Sequence, residues 1–126
     1  MKNLILYYNS YCSKSRAALA LLEKSKVSFT VVEYLLTPPS ETLLDSLLGQ
    51  LKMEPEQIVR KGEDEFEALE KKKKLPTTRK EWIQLLASTP ILIERPIVSD
   101  GTSAVLGRPP EKITEWLNAR TLANTK

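Results

Sequence analysis

The chain has 126 residues, a formal net charge of +3, one cysteine and no histidine. This length predicts one globular domain over residues 1–126, and no apolar run reaches the roughly 18 residues that a membrane span needs. Metal catalysis is not expected, because histidine is the commonest metal ligand and general base, and one cysteine cannot form a zinc site.

The remaining composition favours a cytoplasmic protein without a nucleic-acid or membrane partner. A single cysteine argues against a secreted disulfide scaffold and for a reducing compartment. The basic residues are scattered, and the one dense run, KKKK at 71–74, follows the acidic segment EDEFEALE, as in a solvated helix end. No surface pattern indicates a homodimer, so a monomer is the default expectation.

The first 35 residues predict a βαβ unit. NLILYY (3–8) is typical of a strand buried on both faces, and apolar residues at helical spacing follow over 13–25. VSFTVVEYL (27–35) is rich in β-branched and aromatic residues and predicts a second strand. Such a unit has two parallel strands joined by a right-handed crossover.

A helical insertion is predicted over about residues 40–89. Ser40 is a candidate N-cap for a helix that carries leucines on one face. The charged segment 52–77 tolerates helix with a gap at RKGEDE. Thr78 and Glu81 have the spacing of a capping box, and the helix that they open is expected to end near Ser88.

Residues 90–110 are expected to complete the sheet. Two short apolar runs, 91–93 and 97–98, precede the turn signal SDGTS, and AVLG returns as an antiparallel strand. RPPEKITEWLNA predicts a last helix with prolines in its first turn. The order βαβ, helices, ββα predicts an α/β thioredoxin-like fold with a small mixed sheet and an insertion between strands two and three.

Cys12 lies where the first strand gives way to the first helix. Ligands bind at this end of strands in open α/β sheets, and a helix N-terminus offers free N–H groups and partial positive charge to a thiolate. An ordinary thiol with a pKa of about 8.5 is only about 3% ionised at neutral pH. Flanking Lys14 and Arg16 also favour the thiolate. A small buried hydrophobe is the alternative, but the polar NS and SKS around the cysteine favour a reactive thiol.

CSKS has the form Cys-x-x-Ser, the monothiol version of the Cys-x-x-Cys redox motif. With one cysteine the chain cannot resolve its own disulfide, so any redox cycle takes an outside thiol, such as glutathione or glutaredoxin. Asn9 and Ser15 are candidates to hydrogen-bond the thiolate or to anchor the loop. Ordinary turn and helix-cap chemistry is an equal alternative for both residues.

The chain resembles the glutaredoxin-dependent arsenate reductases over nearly its whole length. Five segments follow in that family's order: YYNSYCSKSR, YLLTPPS, IVRKGEDEFEAL, TPILIERPIV and VLGRPPEKI. The resemblance implies an arsenate reductase in which a cysteine thiolate attacks arsenate and displaces water. It also implies that glutathione attacks the adduct, that glutaredoxin resolves the mixed disulfide and that arsenite leaves.

By this resemblance Cys12 is the nucleophile, and three arginines bind the oxyanion and stabilise the thiolate or the adduct: Arg60, Arg95 and Arg108. Arsenate is a phosphate-like tetrahedral dianion, and the guanidinium fork suits two of its oxygens. A surface ion pair is the alternative for each arginine, above all for Arg60, which EDE follows closely. Pro96 matches the proline that is cis, opposite the cysteine, in thioredoxin-like folds.

Two positions depart from the family's loop, which commonly has a histidine where this chain has Tyr8 and a proline where it has Ser10. The family's histidine helps to lower the cysteine pKa, so activation here would depend on the helix N-terminus and the arginines. Another glutathione-dependent thiol oxidoreductase and a non-catalytic regulator that binds RNA polymerase remain open alternatives. The phosphatase-like arsenate reductases are excluded, because they need Cys-x5-Arg and Arg16 follows Cys12 after three residues.

Overall fold

The computed structural model describes residues 3–124, which form a mixed α/β structure of two compact units. The first unit combines residues 3–33 with residues 95–124, and the second is Tyr34–Glu94. The first contains the sheet and two helices, and the second contains three helices. The single domain expected over 1–126 stays a prediction.

The sheet of the first unit has four strands in the order β2-β1-β3-β4. They are β1 (Leu4–Tyr8), β2 (Phe29–Glu33), β3 (Ile97–Ser99) and β4 (Ala104–Leu106). β1 pairs parallel with β2 and antiparallel with β3, which pairs antiparallel with β4. The predicted βαβ unit, the hairpin at SDGTS and the thioredoxin-like fold are therefore confirmed.

Two helices of the first unit contribute to the core around the sheet: α1 (Ser13–Lys24) and α5 (Glu111–Asn124). That core is formed by apolar side chains of both strands and helices, namely Leu4, Leu6, Ala18, Leu22, Val98, Ile113 and Leu117. Pro109 and Pro110 lie just before α5 rather than in its first turn, which corrects the prediction. Their carbonyl oxygens accept from the N–H groups of Lys112 and Ile113, so the prolines supply the turn that leads into the helix.

The second unit contains α2 (Glu41–Leu51), α3 (Asp64–Lys71) and α4 (Arg79–Ser88). The side chain of Ser40 accepts from the N–H of Leu43 at 3.0 Å, which confirms the predicted N-cap. Thr78 and Glu81 form the predicted capping box of α4. Within residues 3–124, no helix combines the length and the apolar character that crossing a membrane requires.

The apolar run 91–93 does not join the sheet, contrary to the expectation that it helps to complete it. Pro90–Leu92 forms a 3-10 turn, and Ile93 makes an isolated antiparallel bridge with Val59. The hydroxyl of Tyr34 donates to the carbonyl oxygen of Ile93 at 3.2 Å. The backbone of Ile93 therefore finds its hydrogen-bond partners inside the second unit and not in the sheet. The run 91–93 is nevertheless as apolar as a buried strand.

Candidate active site

Cys12 occupies the N-cap position of α1, in extended backbone with φ −101° and ψ 122°. Its carbonyl oxygen accepts from the N–H of Arg16 at 3.1 Å and begins the helix, while its own N–H donates to the carbonyl oxygen of Asn9 at 3.0 Å. The residue is partly exposed. The thiol therefore lies beside the first N–H groups of a helix and is open to small molecules.

The surroundings of Cys12 lower the pKa of its thiol from the ordinary 9.0 to about 7. Partial burial is the largest influence and acts against ionisation, so that alone it raises the pKa. Hydrogen bonds outweigh it: the backbone N–H of Ser15 contributes most, followed by the side chain of Arg95, the backbone N–H of Lys14 and the hydroxyl of Ser15. A thiol with this pKa is about half thiolate at neutral pH, compared with about 1% for a thiol whose pKa is 9.0.

Ser15 and Asn9 join the thiol to the preceding loop. Ser15 is fully buried, and its Oγ accepts from the N–H of Asn9 at 3.2 Å. Asn9 is also buried, and its Oδ1 accepts from the N–H of Tyr11 at 3.0 Å. Asn9 thus anchors the loop, whereas Ser15 both anchors it and contacts the sulfur of Cys12.

Arg16 and Lys14 make contacts in the cysteine loop that the sequence did not indicate. Nη1 of Arg16 donates to the carbonyl oxygen of Ser10 at 2.7 Å, and the effect of its charge on the thiolate stays a prediction. Lys14 acts on the sulfur through its backbone N–H. The loop geometry therefore uses backbone groups of both neighbours of the cysteine.

Glu33 contacts the cysteine loop, although the sequence did not single it out as a site residue. Its Oε1 accepts from the N–H of Ser10 at 3.1 Å. The parallel pairing of β1 with β2 places Glu33 beside Tyr8, near the start of the cysteine loop. The predicted parallel pairing of the first two strands could have indicated this contact, because it brings the ends of both strands to the same edge of the sheet.

Two of the three predicted arginines lie together in the first unit. Arg95 is 6% exposed, and its side chain hydrogen-bonds the sulfur of Cys12. Nη1 of the half-buried Arg108 donates to the carbonyl oxygen of Arg95 at 3.0 Å. The Arg95–Pro96 peptide is cis, as the resemblance implied, and the Arg108–Pro109 peptide is cis as well, which the sequence did not indicate.

Arg60 belongs to the second unit and pairs with two carboxylates there. Its Nε lies 3.1 Å from Oε1 of Glu63, and its Nη1 lies 2.9 Å from Oε1 of Glu94. Partial burial lowers the pKa of the Arg60 guanidinium, but these carboxylates outweigh it and raise that pKa above its ordinary value. The ion-pair alternative thus has a physical basis in Glu63 of the EDE segment, and the oxyanion role of Arg60 stays a prediction.

The described part of the first unit brings together one partly ionised thiol, the first N–H groups of a helix and a buried guanidinium. These groups suit nucleophilic attack on the central atom of an oxyanion, because the cation neutralises oxygen charge that would repel a thiolate. Within residues 3–124, no cluster of three or more histidine, cysteine, aspartate or glutamate side chains could hold a metal ion.

Residues 7–116, which include the cysteine loop and all three predicted arginines, match the ArsC family. The chain belongs to the ArsC family. In this chain the cysteine loop lies near the start of the matched region, and Arg108 lies near its end.

This ArsC chain is similar to several known proteins over nearly its full length. An uncharacterized protein in the glnII region of Streptomyces viridochromogenes is 38% identical over 117 residues, covering 90% of this chain and 98% of that protein. An arsenate reductase of Haemophilus influenzae is 34% identical over 115 residues, covering 91% and 99%. The solved structure of an arsenate reductase from Vibrio cholerae has a TM-score of 0.83 and 36% identity, covering 90% of this chain and 97% of that one.

Proposed function

We propose that this ArsC-family protein is an arsenate reductase with Cys12 as its nucleophile. The observation that carries the proposal is the pKa of about 7 at a thiol that is hydrogen-bonded by the buried Arg95. Relatives that are about one-third identical over most of the chain are named arsenate reductases, which supports arsenate as the oxyanion. The reaction class is thus a two-electron reduction by thiols.

The first step forms a bond between sulfur and arsenic. The thiolate of Cys12 attacks arsenic(V), one As–O bond breaks, and the departing oxygen takes up protons and leaves as water. Arg95 and Arg108 are proposed to hold the remaining oxygens, because a guanidinium offers paired donors that match a tetrahedral oxyanion. Arg95 also hydrogen-bonds the sulfur of Cys12, so it is proposed to position both the sulfur and the arsenate for formation of the S–As bond.

The second step needs a thiol that the chain does not contain, since it has one cysteine. The thiol of glutathione is proposed to attack the arsenic adduct, forming a second As–S bond as a second oxygen leaves as water. The two sulfurs then bond to each other, both As–S bonds break, and Cys12 and glutathione are joined as a mixed disulfide. Formation of this disulfide supplies the two electrons that reduce arsenic(V) to arsenic(III), and arsenite leaves. A thiol of glutaredoxin then takes the glutathionyl group and restores the Cys12 thiol. This dependence on glutathione is consistent with a reducing compartment, and we propose the cytoplasm.

The experiment measures arsenite formed from arsenate in the presence of glutathione and glutaredoxin. Wild type is expected to turn over, Cys12→Ser to be inactive and Arg95→Ala to lose most of the rate. Arg79→Ala is the matched control, because Arg79 pairs with Asp45 at 2.8 Å on the surface and has no part in the mechanism. Equal rates in wild type and Cys12→Ser would overturn the proposal.

Omitting one reductant at a time separates the proposal from the alternative thiol reaction. An arsenate reductase of this kind needs both glutathione and glutaredoxin, and it depends on Arg95. An oxidoreductase that acts on glutathione mixed disulfides would turn over a model mixed disulfide without arsenate. Turnover of the mixed disulfide alone would therefore favour the alternative.

A further inference from the structure

We propose that Glu33 is a positioning residue for Cys12, and that it acts by holding the backbone of Ser10. The inference rests on the proposed function in one respect, namely that Cys12 is the nucleophile. Glu33 lies at the end of β2, outside the segment that carries the cysteine, so it ties the reactive loop to the sheet.

Both backbone groups of Ser10 are held by charged side chains of opposite sign. The N–H donates to Oε1 of Glu33 at 3.1 Å, and the carbonyl oxygen accepts from Nη1 of Arg16 at 2.7 Å. Hydrogen bonds with an ionised partner are stronger than those between neutral groups. Ser10 is therefore fixed between β2 and α1, two elements of the same compact unit.

The constraint at Ser10 reaches the thiol through adjoining backbone contacts. Tyr11 donates its N–H to Oδ1 of Asn9 at 3.0 Å, and Cys12 donates its N–H to the carbonyl oxygen of Asn9 at 3.0 Å. The residues from 9 to 12 thus form a short turn whose geometry decides whether the sulfur stays beside the first N–H groups of α1. A loosened turn lets the sulfur leave its donors.

Positioning and simple electrostatics predict opposite effects for the loss of Glu33. Its negative charge disfavours a nearby thiolate, so charge removal alone would make Cys12 more acidic. Loss of the hydrogen bond to Ser10 would loosen the turn and make Cys12 less acidic. The charged groups that bear on the loop are Glu33 and Arg16 through Ser10, and Arg95 directly on the sulfur.

The test is the pH dependence of Cys12 alkylation by iodoacetamide in the full chain. Glu33→Ala is expected to slow alkylation about threefold at about pH 6 and to leave the rate unchanged near pH 10, where every variant is fully thiolate. Glu33→Gln keeps an acceptor oxygen without the charge, so it is expected to react at least as fast as wild type. Glu23→Ala is the matched control, since this exposed carboxylate lies in the last turns of α1.

Ser10→Pro removes the N–H that Glu33 accepts, and proline is the residue that the family's loop commonly has there. In that background Glu33→Ala is expected to cause no further loss of rate at about pH 6, because only the effect of its charge remains. An unchanged or faster rate in Glu33→Ala alone would overturn the proposal, as would an equal loss in the Ser10→Pro background. If Glu33→Ala or Ser10→Pro does not fold, Glu33→Gln decides, because a rate below wild type contradicts the positioning role.

Alkylation requires neither arsenate nor a reductant, so the two proposals can fail separately. If wild type forms no arsenite but Glu33→Ala is still alkylated more slowly than wild type, the arsenate reaction is overturned and the positioning role of Glu33 stands. If wild type forms arsenite but Glu33→Ala is alkylated as fast as wild type, the arsenate reaction stands and the positioning role of Glu33 is overturned.

Discussion

Arg108 braces the backbone of Arg95, because its Nη1 donates to the Arg95 carbonyl oxygen at 3.0 Å. The side chain of Arg95 in turn hydrogen-bonds the sulfur of Cys12. Arg108 follows β4, and Arg95 precedes β3, so the hairpin between them brings the two arginines to one place. The two guanidinium groups are therefore coupled, and their contributions to Cys12 reactivity should not be independent.

Arg95→Ala is expected to raise the pKa of Cys12 from about 7 towards its ordinary value of 9.0, because a cationic donor to the thiolate is lost. Arg108→Ala is expected to shift that pKa in the same direction by a smaller amount. The double variant should show less than the sum of the two effects, since Arg108 acts through Arg95. Alkylation rates across pH give all three values, and strict additivity would contradict the coupling.

Asp100 is expected to stabilise the first unit above about pH 4. Burial raises the pKa of its carboxyl, but hydrogen bonds from the backbone of Ser103 and the side chain of Arg120 contribute to an opposite shift, from the ordinary 3.8 to about 2. A lowered folded-state pKa stabilises the protein above the unfolded pKa, and this contribution is lost as the pH falls through about 2. Asp100→Asn should thus cost about 2 kcal/mol near neutral pH.

Urea unfolding at several pH values checks this expectation. The difference in unfolding free energy between wild type and Asp100→Asn should shrink below about pH 4 and become small near pH 2. Asp45→Asn is the control, because Asp45 pairs with Arg79 at 2.8 Å on the exposed surface and should contribute less than about 1 kcal/mol. A pH-independent difference for Asp100→Asn would argue against the charge as the cause.

Gly107→Ala is expected to destabilise the fold by about 1–3 kcal/mol through overpacking. A Cβ at this position would lie 2.7 Å from Cδ1 of the fully buried Ile113 and 3.0 Å from Cγ of Pro96. Gly49→Ala, inside α2, meets nothing within 4 Å and should instead stabilise by up to about 1 kcal/mol. Thermal unfolding of both variants measures whether each change lowers or raises stability. If Gly107→Ala leaves the stability unchanged, the side chain of Ile113 can move aside without cost.

Arg60→Ala tests the oxyanion role that the resemblance implies for Arg60, since loss of one charge-assisted contact to arsenate would raise the KM about tenfold. The pH profile of Cys12 alkylation should stay unchanged, because Arg60 is not among the groups whose hydrogen bonds lower the pKa of Cys12. Arg60→Lys keeps the charge without the planar fork and should be intermediate. An unchanged KM together with a small loss of stability would mean that Arg60 serves only the ion pairs.

The local elements of this protein follow from the sequence by itself. A compact apolar run predicted β1, helical spacing predicted α1, and a segment rich in β-branched and aromatic residues predicted β2. Short-range chemistry predicted the caps at Ser40 and at Thr78 with Glu81. The position of Cys12 at a helix N-terminus follows from the same patterns, because a strand-to-helix boundary depends on neighbours in the chain. The single cysteine likewise predicts that any redox cycle at Cys12 takes a thiol from outside the chain.

The tertiary structure decided the contacts between segments that are distant in sequence. The hydrogen bond of Arg95 to Cys12, the brace from Arg108 and the acceptance of the Ser10 N–H by Glu33 depend on how strands pair and where loops end. The run 91–93 has the composition of a strand but lacks a partner strand in the sheet, so it forms a turn. The residue pattern of a segment indicates which of its faces can be buried. Which other segments it contacts depends on the packing of the whole chain.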